Sequence, residues 1–198
     1  MRRSSAIACL AVCTFFVGCA STNVEITGKV PHVPLCQLPG QSLSALVLWG
    51  PQWRADQKEV ALRELAAQKG IEAFLKTSAC FAKFELRRVA EGGAAVAQSE
   101  RELLDLAGQS NPRPDRVLVV KVRELGPVVK LFSSGAMVEG ATEVVLDLTV
   151  VDVPAAKTLA ESRTRWQNGG PMVIKGVASL PEDMQAALSA ALRPGTSP

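Results

Sequence analysis

The chain has 198 residues, of which 47 % are hydrophobic and 5 % aromatic, and its formal net charge is +3. Residues 1–18 carry two arginines and no acids, so beyond them the 22 basic residues fall to 20 against 19 acidic ones. A near-neutral chain without a clustered basic stripe is not expected to bind nucleic acid. The remaining length of about 180 residues fits one domain with its own core.

The first twenty residues have the pattern of an export signal. Two arginines precede an apolar run over residues 6–17, which is too short to span a bilayer. The segment that follows resembles the bacterial lipobox, in which Cys19 would receive a lipid after cleavage of residues 1–18, although Phe16 departs from the usual aliphatic residue. Ala20 follows the cysteine, which by resemblance to enteric lipoproteins implies the periplasmic face of the outer membrane. An ordinary secretory signal is the alternative.

Two of the five cysteines are expected to remain available after export. Cys9 and Cys13 leave with the signal, and Cys19 takes the lipid. Cys36 and Cys80 are left as an even pair in an oxidising compartment, and we predict a disulfide between them. It would close a loop of about 45 residues and contribute roughly 4 kcal/mol in the chain-entropy description. Two unpaired thiols are the alternative.

Hydrophobic periodicity and capping patterns predict a domain over residues 43–193. A flexible tether rich in Ser, Thr, Pro and Gly precedes it over residues 19–42, and a disordered tail follows over 194–198. Eight elements are predicted within the domain. They are a strand over 44–49, a helix over 57–77, a strand over 81–89, a helix over 99–107, strands over 116–122, 142–153 and 158–166, and a helix over 179–192.

The order β-α-β-α-β-β-β-α predicts an α+β fold, an α/β sandwich with a single mixed, mainly antiparallel sheet and helices packed on one face. Capping boxes at Asp56, Ser99 and Ser179 are expected to begin the three helices. Gly70 falls inside the first helix, where it costs about 1 kcal/mol relative to alanine.

The chain lacks the side chains that most catalytic and metal sites require. His32 is its only histidine and lies in the predicted tether, where neither a catalytic triad nor a zinc site could be held. Asp147 and Asp152 are five residues apart on one predicted strand, so they are expected to point to opposite faces as solvated acids. We therefore predict no enzyme activity, no catalytic residue, no metal and no cofactor.

Two stretches are candidates for binding a partner. Trp49 and Trp53 flank a Gly-Pro turn after the first strand, and exposed tryptophans favour interfaces; the alternative is that they pack under the neighbouring helix. Phe132, Met137 and Val138 are apolar residues in the link between two strands. They would bind a partner or enter a membrane, or, alternatively, continue the strands and pack inward.

The order of elements resembles that of envelope lipoproteins with a domain like the amino-terminal domain of TolB, a structural neighbourhood that includes CsgG and LpoB. The resemblance covers roughly residues 43–192. Five segments carry it: residues 45–48 (ALVL), 73–75 (AFL), 84–86 (FEL), 114–120 (PDRVLVV), and 144–152 with the following 158–159. The Asp-x-x-Thr-Gly turn common in these proteins is replaced by Asp-Val-Pro at 152–154, so no functional residue is carried over.

The resemblance implies a non-catalytic accessory protein that docks on an envelope protein partner in assembly or transport. The alternative is an auxiliary lipoprotein of a lipid or solute transport system that binds an apolar ligand in a groove. Both readings place the protein at a membrane through its N-terminal lipid.

Overall fold

A computed structural model describes residues 20–30, 35, 43–89, 99–131, 138–171, 173 and 175–193. Six strands and three helices are present in these ranges. In chain order they are β1 (Ser21–Lys29), β2 (Ser44–Pro51), α1 (Val60–Thr77), β3 (Lys83–Arg88), α2 (Glu100–Gln109), β4 (Arg116–Leu131), β5 (Val138–Asp152), β6 (Lys157–Pro171) and α3 (Leu180–Leu192). None of the helices in these ranges is long and apolar enough to cross a bilayer.

All six strands form one mixed sheet in the order β1-β6-β5-β4-β2-β3. β2 is parallel to both β3 and β4, since the connections from β2 cross over through helices, and the other three pairings are antiparallel. The predicted α+β class, with a mixed and mainly antiparallel sheet, is therefore confirmed.

The helices cover the two faces of the sheet unequally. α1 and α3 pack on one face, over the main core that includes Leu146, Leu148 and Trp166. α2 packs on the opposite face, over a smaller cluster that includes Leu46 and Val117. The expectation that all helices share one face is thus corrected for α2. Its physical reason is that β2 is buried on both faces and needs cover on both.

The first strand replaces part of the predicted tether. Ser21–Lys29 form β1, which pairs with β6 along all nine of its residues. β1 is an edge strand with eight of its nine residues exposed, and for that reason its sequence is polar enough to look like a linker. Residues 31–34 and 36–42 of the predicted tether lie outside the described residues.

Two predicted capping boxes are not formed. α1 begins after Glu59, whose backbone is left-handed and makes no side-chain cap, and Ser179 makes none for α3. The box of Ser99 and Glu102 is present at the start of α2, as predicted. The pattern is borne out at Ser99, whose backbone is extended, but not at Ser179, which ends a 3-10 turn over Val177–Ser179 and has a helical backbone.

The three central antiparallel strands are longer than predicted. β4 continues to Leu131, well past the predicted end at residue 122, and a register shift between Val122 and Glu124 marks a bulge. β2 stops beside this point, because its last residue, Pro51, pairs with Val122. One end of the sheet therefore consists only of β1, β6, β5 and β4.

Candidate functional site

The tryptophans predicted to bind a partner belong to the core. Trp49 is 1 % exposed and packs in the main core under α1, so its role as an interaction residue is corrected. Trp53 is half-buried and packs against the same core. The alternative interpretation, that the two pack under the neighbouring helix, describes their position. The sequence suggested that the strand ends before the Gly-Pro pair. Both residues of the pair belong to β2, so Trp49 lies within the strand.

The other candidate residues fall largely outside the described parts of the chain. Cys19, Phe132 and Met137 lie outside them, and Val138 is the first residue of β5. The apolar link therefore remains a prediction.

The predicted disulfide is untested as well, because Cys36 also lies outside the described residues. Cys80 is buried at the end of α1. The N–H of Leu35, the residue before Cys36, donates to the carbonyl of Leu192 at 3.0 Å. Nη2 of Arg193, at the tip of the next side chain, lies 3.9 Å from the sulfur of Cys80. Residue 35 thus lies beside the end of α3, and the disulfide stays a prediction.

An open groove lies on the half of the sheet face that α2 leaves uncovered, with a volume of about 500 Å³. We call it the arginine groove. β1, β4, β5, β6 and the loop after β2 contribute to its walls and floor. Its lining residues are Glu25, Thr27, Gln52, Arg54, Arg123, Glu124, Glu143, Val145, Arg163 and Arg165.

Strand alternation and one bulge bring these side chains to a single face. Along β5, Val144 and Leu146 face the helices, so Glu143, Val145 and Asp147 face the groove. In β4 the bulge between Val122 and Glu124 inserts one extra residue. Such a bulge places two successive side chains on the same face, and Arg123 and Glu124 both line the groove for this reason.

Asp147 is at the centre of an ion-pair cluster of three residues, one from each of three strands. Its carboxylate accepts hydrogen bonds from Nε of Arg123 at 2.6 Å and from Nε of Arg163 at 2.6 Å, with Nη2 of Arg163 at 3.1 Å. Burial by itself would raise the pKa of Asp147. The hydrogen bonds from Arg163 and Arg123, with their positive charges, outweigh burial and hold the pKa below its ordinary value.

Two further carboxylates of the groove are ion-paired, one of them with Arg63 of α1, which does not line the groove. Glu143 accepts hydrogen bonds from Nε of Arg165 and from Nε2 of Gln167, the latter at 3.1 Å. Glu124 forms ion pairs with Arg63 at 3.0 Å and Arg54 at 3.4 Å. The pair with Arg63 ties α1 to the bulge of β4.

The position of the Arg63 side chain also requires a glycine at residue 126. Arg63 additionally donates to the carbonyl of Leu125. A Cβ atom on Gly126 would lie 1.8 Å from Nη1 of Arg63, so the buried guanidinium can occupy this place only beside a glycine.

The acids and the arginines of the groove differ in exposure. Side-chain exposure is 12 % for Glu143, 17 % for Glu124 and 21 % for Asp147. It is 33 % for Arg123, 52 % for Arg163, 53 % for Arg165 and 67 % for Arg54. These three carboxylates therefore lie beneath the guanidinium groups, whereas Glu25, which also lines the groove, is exposed.

The exposed guanidinium groups keep donors free for a ligand. Toward the described residues, Arg123 and Arg165 donate only from Nε, so their Nη groups point to no protein acceptor there. Planar guanidinium groups bind carboxylates and phosphates through paired N–H donors. The groove can therefore bind an anionic group without breaking the ion pairs below it. Within the described ranges, no cluster of His, Cys, Asp or Glu is placed to hold a metal.

These residues were missed because they come from distant parts of the sequence, although one signal pointed to them. In the strand predicted over 158–166, Arg163 and Arg165 alternate with Thr164 and Trp166. A hairpin with the preceding strand places such arginines opposite the acids of that strand. The prediction of a solvated acid is wrong for Asp147, which is bound by arginines on two sides.

A second cleft, of about 570 Å³, lies between α3, the end of α1 and β1. Val24, Phe74, Trp166, Ala186 and Ala190 supply apolar surface. Trp166 is already buried in the core, however, and polar residues make up much of the remaining lining. The polar members are Thr22, Thr77, Ser78, Glu182, Gln185, Ser189 and Arg193. The lining is mixed, so the alternative of an apolar ligand stays a prediction.

No family model and no curated protein sequence matches this chain. Among solved structures, it is similar to the PelC dodecamer from Paraburkholderia phytofirmans at 14 % identity, covering 87 % of this chain and 98 % of that one, with a TM-score of 0.43. It is also similar to lipoprotein GNA1162 from Neisseria meningitidis at 14 % identity, covering 73 % of this chain and 95 % of that one, with a TM-score of 0.41. Protein XCC0632 from Xanthomonas campestris is similar at 15 % identity, covering 84 % of this chain and 90 % of that one, with a TM-score of 0.38. At such TM-scores the likeness carries no functional argument, and the resemblance to TolB stays a prediction.

Proposed function

We propose that this chain is a periplasmic lipoprotein of the outer membrane and a non-catalytic docking protein in envelope assembly or transport. We further propose that the arginine groove binds an acidic segment of its protein partner. The observation that carries the proposal is the layering of the groove, with exposed guanidinium groups over shielded carboxylates. A surface of this kind attracts anionic groups and gives a partner both orientation and selectivity.

The shape of the surface favours a protein segment over a flat bilayer. α2 stands on the same face of the sheet, next to the groove. A helix with its side chains is about 10 Å thick, so α2 would meet a flat membrane before the floor of the groove did. A peptide or loop can enter the groove beside α2. Charge complementarity then requires Glu or Asp residues in that segment.

Site-specific crosslinking tests the docking proposal. A photo-crosslinking amino acid replaces Gln52, which lines the groove and is exposed. We expect it to capture one envelope protein through an acidic segment, identified by mass spectrometry of the crosslinked peptide. The double variant Arg163→Gln/Arg165→Gln should lower the affinity for a synthetic copy of that peptide at least tenfold, equivalent to about 1.4 kcal/mol.

Arg87→Gln is the matched control, because Arg87 is an exposed arginine paired with Glu85 on β3, at the far edge of the sheet. It should bind the peptide like the unaltered protein. Unfolding curves of all variants establish that the fold is retained. Crosslinks to lipid or saccharide instead of protein, or equal binding by the double variant, would contradict the proposal.

Metabolic labelling with palmitate tests the anchor. We expect labelled protein in the membrane fraction and no label in the Cys19→Ala variant. Equal labelling of both forms would refute lipidation at Cys19. The partner experiment does not depend on this result, because the groove lies within the folded domain.

A further inference from the structure

The start of β1 determines how the domain would sit on a membrane. β1 begins at Ser21, two residues after Cys19. Two residues of extended chain span at most about 7 Å. If Cys19 carries a lipid, Ser21 is therefore held at the bilayer surface, and no long tether separates the domain from the membrane.

Three other strands reach the same end of the sheet. Ser21 of β1 pairs with Gly169 of β6, Gly169 pairs with Ala141 of β5, and Ala141 pairs with Val128 of β4. This row of residues crosses the sheet beside the anchor. Lys29, at the other end of β1, lies eight residues away, or about 27 Å along the strand.

The β4–β5 hairpin extends beyond this row. The pairing of β4 with β5 continues for three more residues on each strand, to Leu131 opposite Val138. Three residues of strand add about 10 Å, which exceeds the 7 Å that the chain from Cys19 can span. The stem of the hairpin thus projects past Ser21 on the side of the anchor.

The composition of this end suits contact with lipid. The row of Ser21 and the adjacent row hold no charged residue. Their members are Ser21, Gly169, Ala141 and Val128, then Thr22, Asn168, Thr142 and Pro127. Farther out along the stem, Lys130 pairs with Glu139. At the other end of the sheet, by contrast, Lys29 pairs with Glu161 and Asp152 lies between Arg116 and Lys157.

We infer that the end of the sheet formed by the start of β1, the end of β6 and the stem of the β4–β5 hairpin is a membrane-contacting surface, and that its partner is the lipid bilayer. The inference rests on the lipidation of Cys19 in the proposed function. It also places the arginine groove close to the membrane. Arg165 and Arg163 pair with Glu25 and Thr27, which follow Ser21 by four and six residues, or about 13 and 20 Å.

Photo-crosslinking to lipid tests the orientation. The lipidated full chain is reconstituted in vesicles of phosphatidylethanolamine and phosphatidylglycerol, with p-benzoylphenylalanine at position 127 or at position 155. Pro127 is exposed in β4 near the anchor, and Ala155 is exposed in the turn between β5 and β6 at the opposite end. We expect at least tenfold more lipid adducts from position 127. Equal yields, or more from position 155, would overturn the inference.

An insertion tests whether the short anchor is the cause. Twelve Gly and Ser residues between Ala20 and Ser21 should leave lipidation intact and reduce the adduct yield at position 127 to that at position 155. An unchanged yield would contradict the argument. Vesicle flotation is measured first in every case. A protein that does not float has lost the lipid anchor of the proposed function, whereas a floating protein without adducts at position 127 refutes the orientation alone.

Discussion

The two faces of the sheet differ most clearly along β5. Val144, Leu146 and Leu148 are fully buried under the helices, whereas Glu143 and Asp147, on the other face, are bound by arginines at the groove. The same second face becomes apolar where α2 covers it, at Val151 and Val153. On this face, residues 143–153 are therefore apolar where a helix covers them and acidic where they border the groove.

The largest difference between the faces is expected from truncation of neighbouring residues in β5. Leu146→Ala removes a side chain with no exposed surface, so it should lower the free energy of unfolding by about 2–5 kcal/mol. Val145→Ala, the matched change on the groove face, should cost less than about 1 kcal/mol because Val145 is only half-buried. Urea denaturation of both variants measures this. Equal losses would show that the groove face is packed as tightly as the core.

A second comparison concerns glycines in helices on opposite faces. A Cβ on Gly70 of α1 would lie 2.5 Å from the carbonyl oxygen of Pro181 and 2.6 Å from Cβ of Met184 in α3. Gly70→Ala should therefore destabilise by about 2 kcal/mol, although alanine favours a helix.

Gly108 of α2 is the control for this change, because no atom lies within 4 Å of its added Cβ. Gly108→Ala should stabilise by up to about 1 kcal/mol. Thermal unfolding of both variants shows whether each substitution raises or lowers the stability of the fold. Stabilisation by Gly70→Ala would mean that α1 and α3 are not in close contact.

Much of the fold could be predicted because buried elements have strong patterns. The apolar runs of β2, β4 and β5 and the helical periodicity of α1 and α3 lie where the sequence indicated. β1 was missed because only two of its nine residues, Val24 and Ile26, are large and apolar, and eight of the nine are exposed. The extension of β4 was missed because Gly126-Pro127 interrupts its pattern, and proline within a run argues against a strand. The cost of Gly70 was recognised, but its reason, the approach of α3, is a tertiary contact.

The groove could not be predicted from the sequence for a different reason. Its side chains come from positions as far apart as Glu25 and Arg165, and the bulge that turns Arg123 and Glu124 to one face has no sequence signal of its own. Residues chosen for their type alone were less informative. Trp49 resembles an interface residue and is core, whereas Asp147 resembled a solvated acid and organises the groove.

The acid at the centre of the groove should make stability depend on pH. The pKa of Asp147 is lower in the folded protein than its ordinary value of about 4, so the folded state binds fewer protons than the unfolded state. Its stabilising contribution is complete above about pH 5 and is lost as pH falls through the lowered pKa. Asp147→Asn should therefore cost about 1.5 kcal/mol at pH 7, allowing for its partial exposure, and progressively less below pH 4.

Urea denaturation at a series of pH values from 7 to 3 measures this difference. A cost that stays constant down to pH 3 would show that Asp147 acts by shape and not by charge. Leu146→Ala is the comparison from the other face, because its cost should not change with the protonation of Asp147.

The smallest change in stability is expected from a substitution at the N-terminal cap of α2, the helix that covers the apolar part of the second face. The hydroxyl of Ser99 accepts a hydrogen bond from the N–H of Glu102, and the Glu102 carboxylate accepts one from the N–H of Ser99 at 2.7 Å. Ser99→Ala should cost about 1 kcal/mol, and Ser99→Asp should retain most of the stability because aspartate also caps a helix. A ten-residue helix has little stability by itself. Hydrogen exchange should therefore accelerate in α2 of Ser99→Ala more than in β5, and uniform acceleration in both would mean that α2 unfolds only with the whole domain.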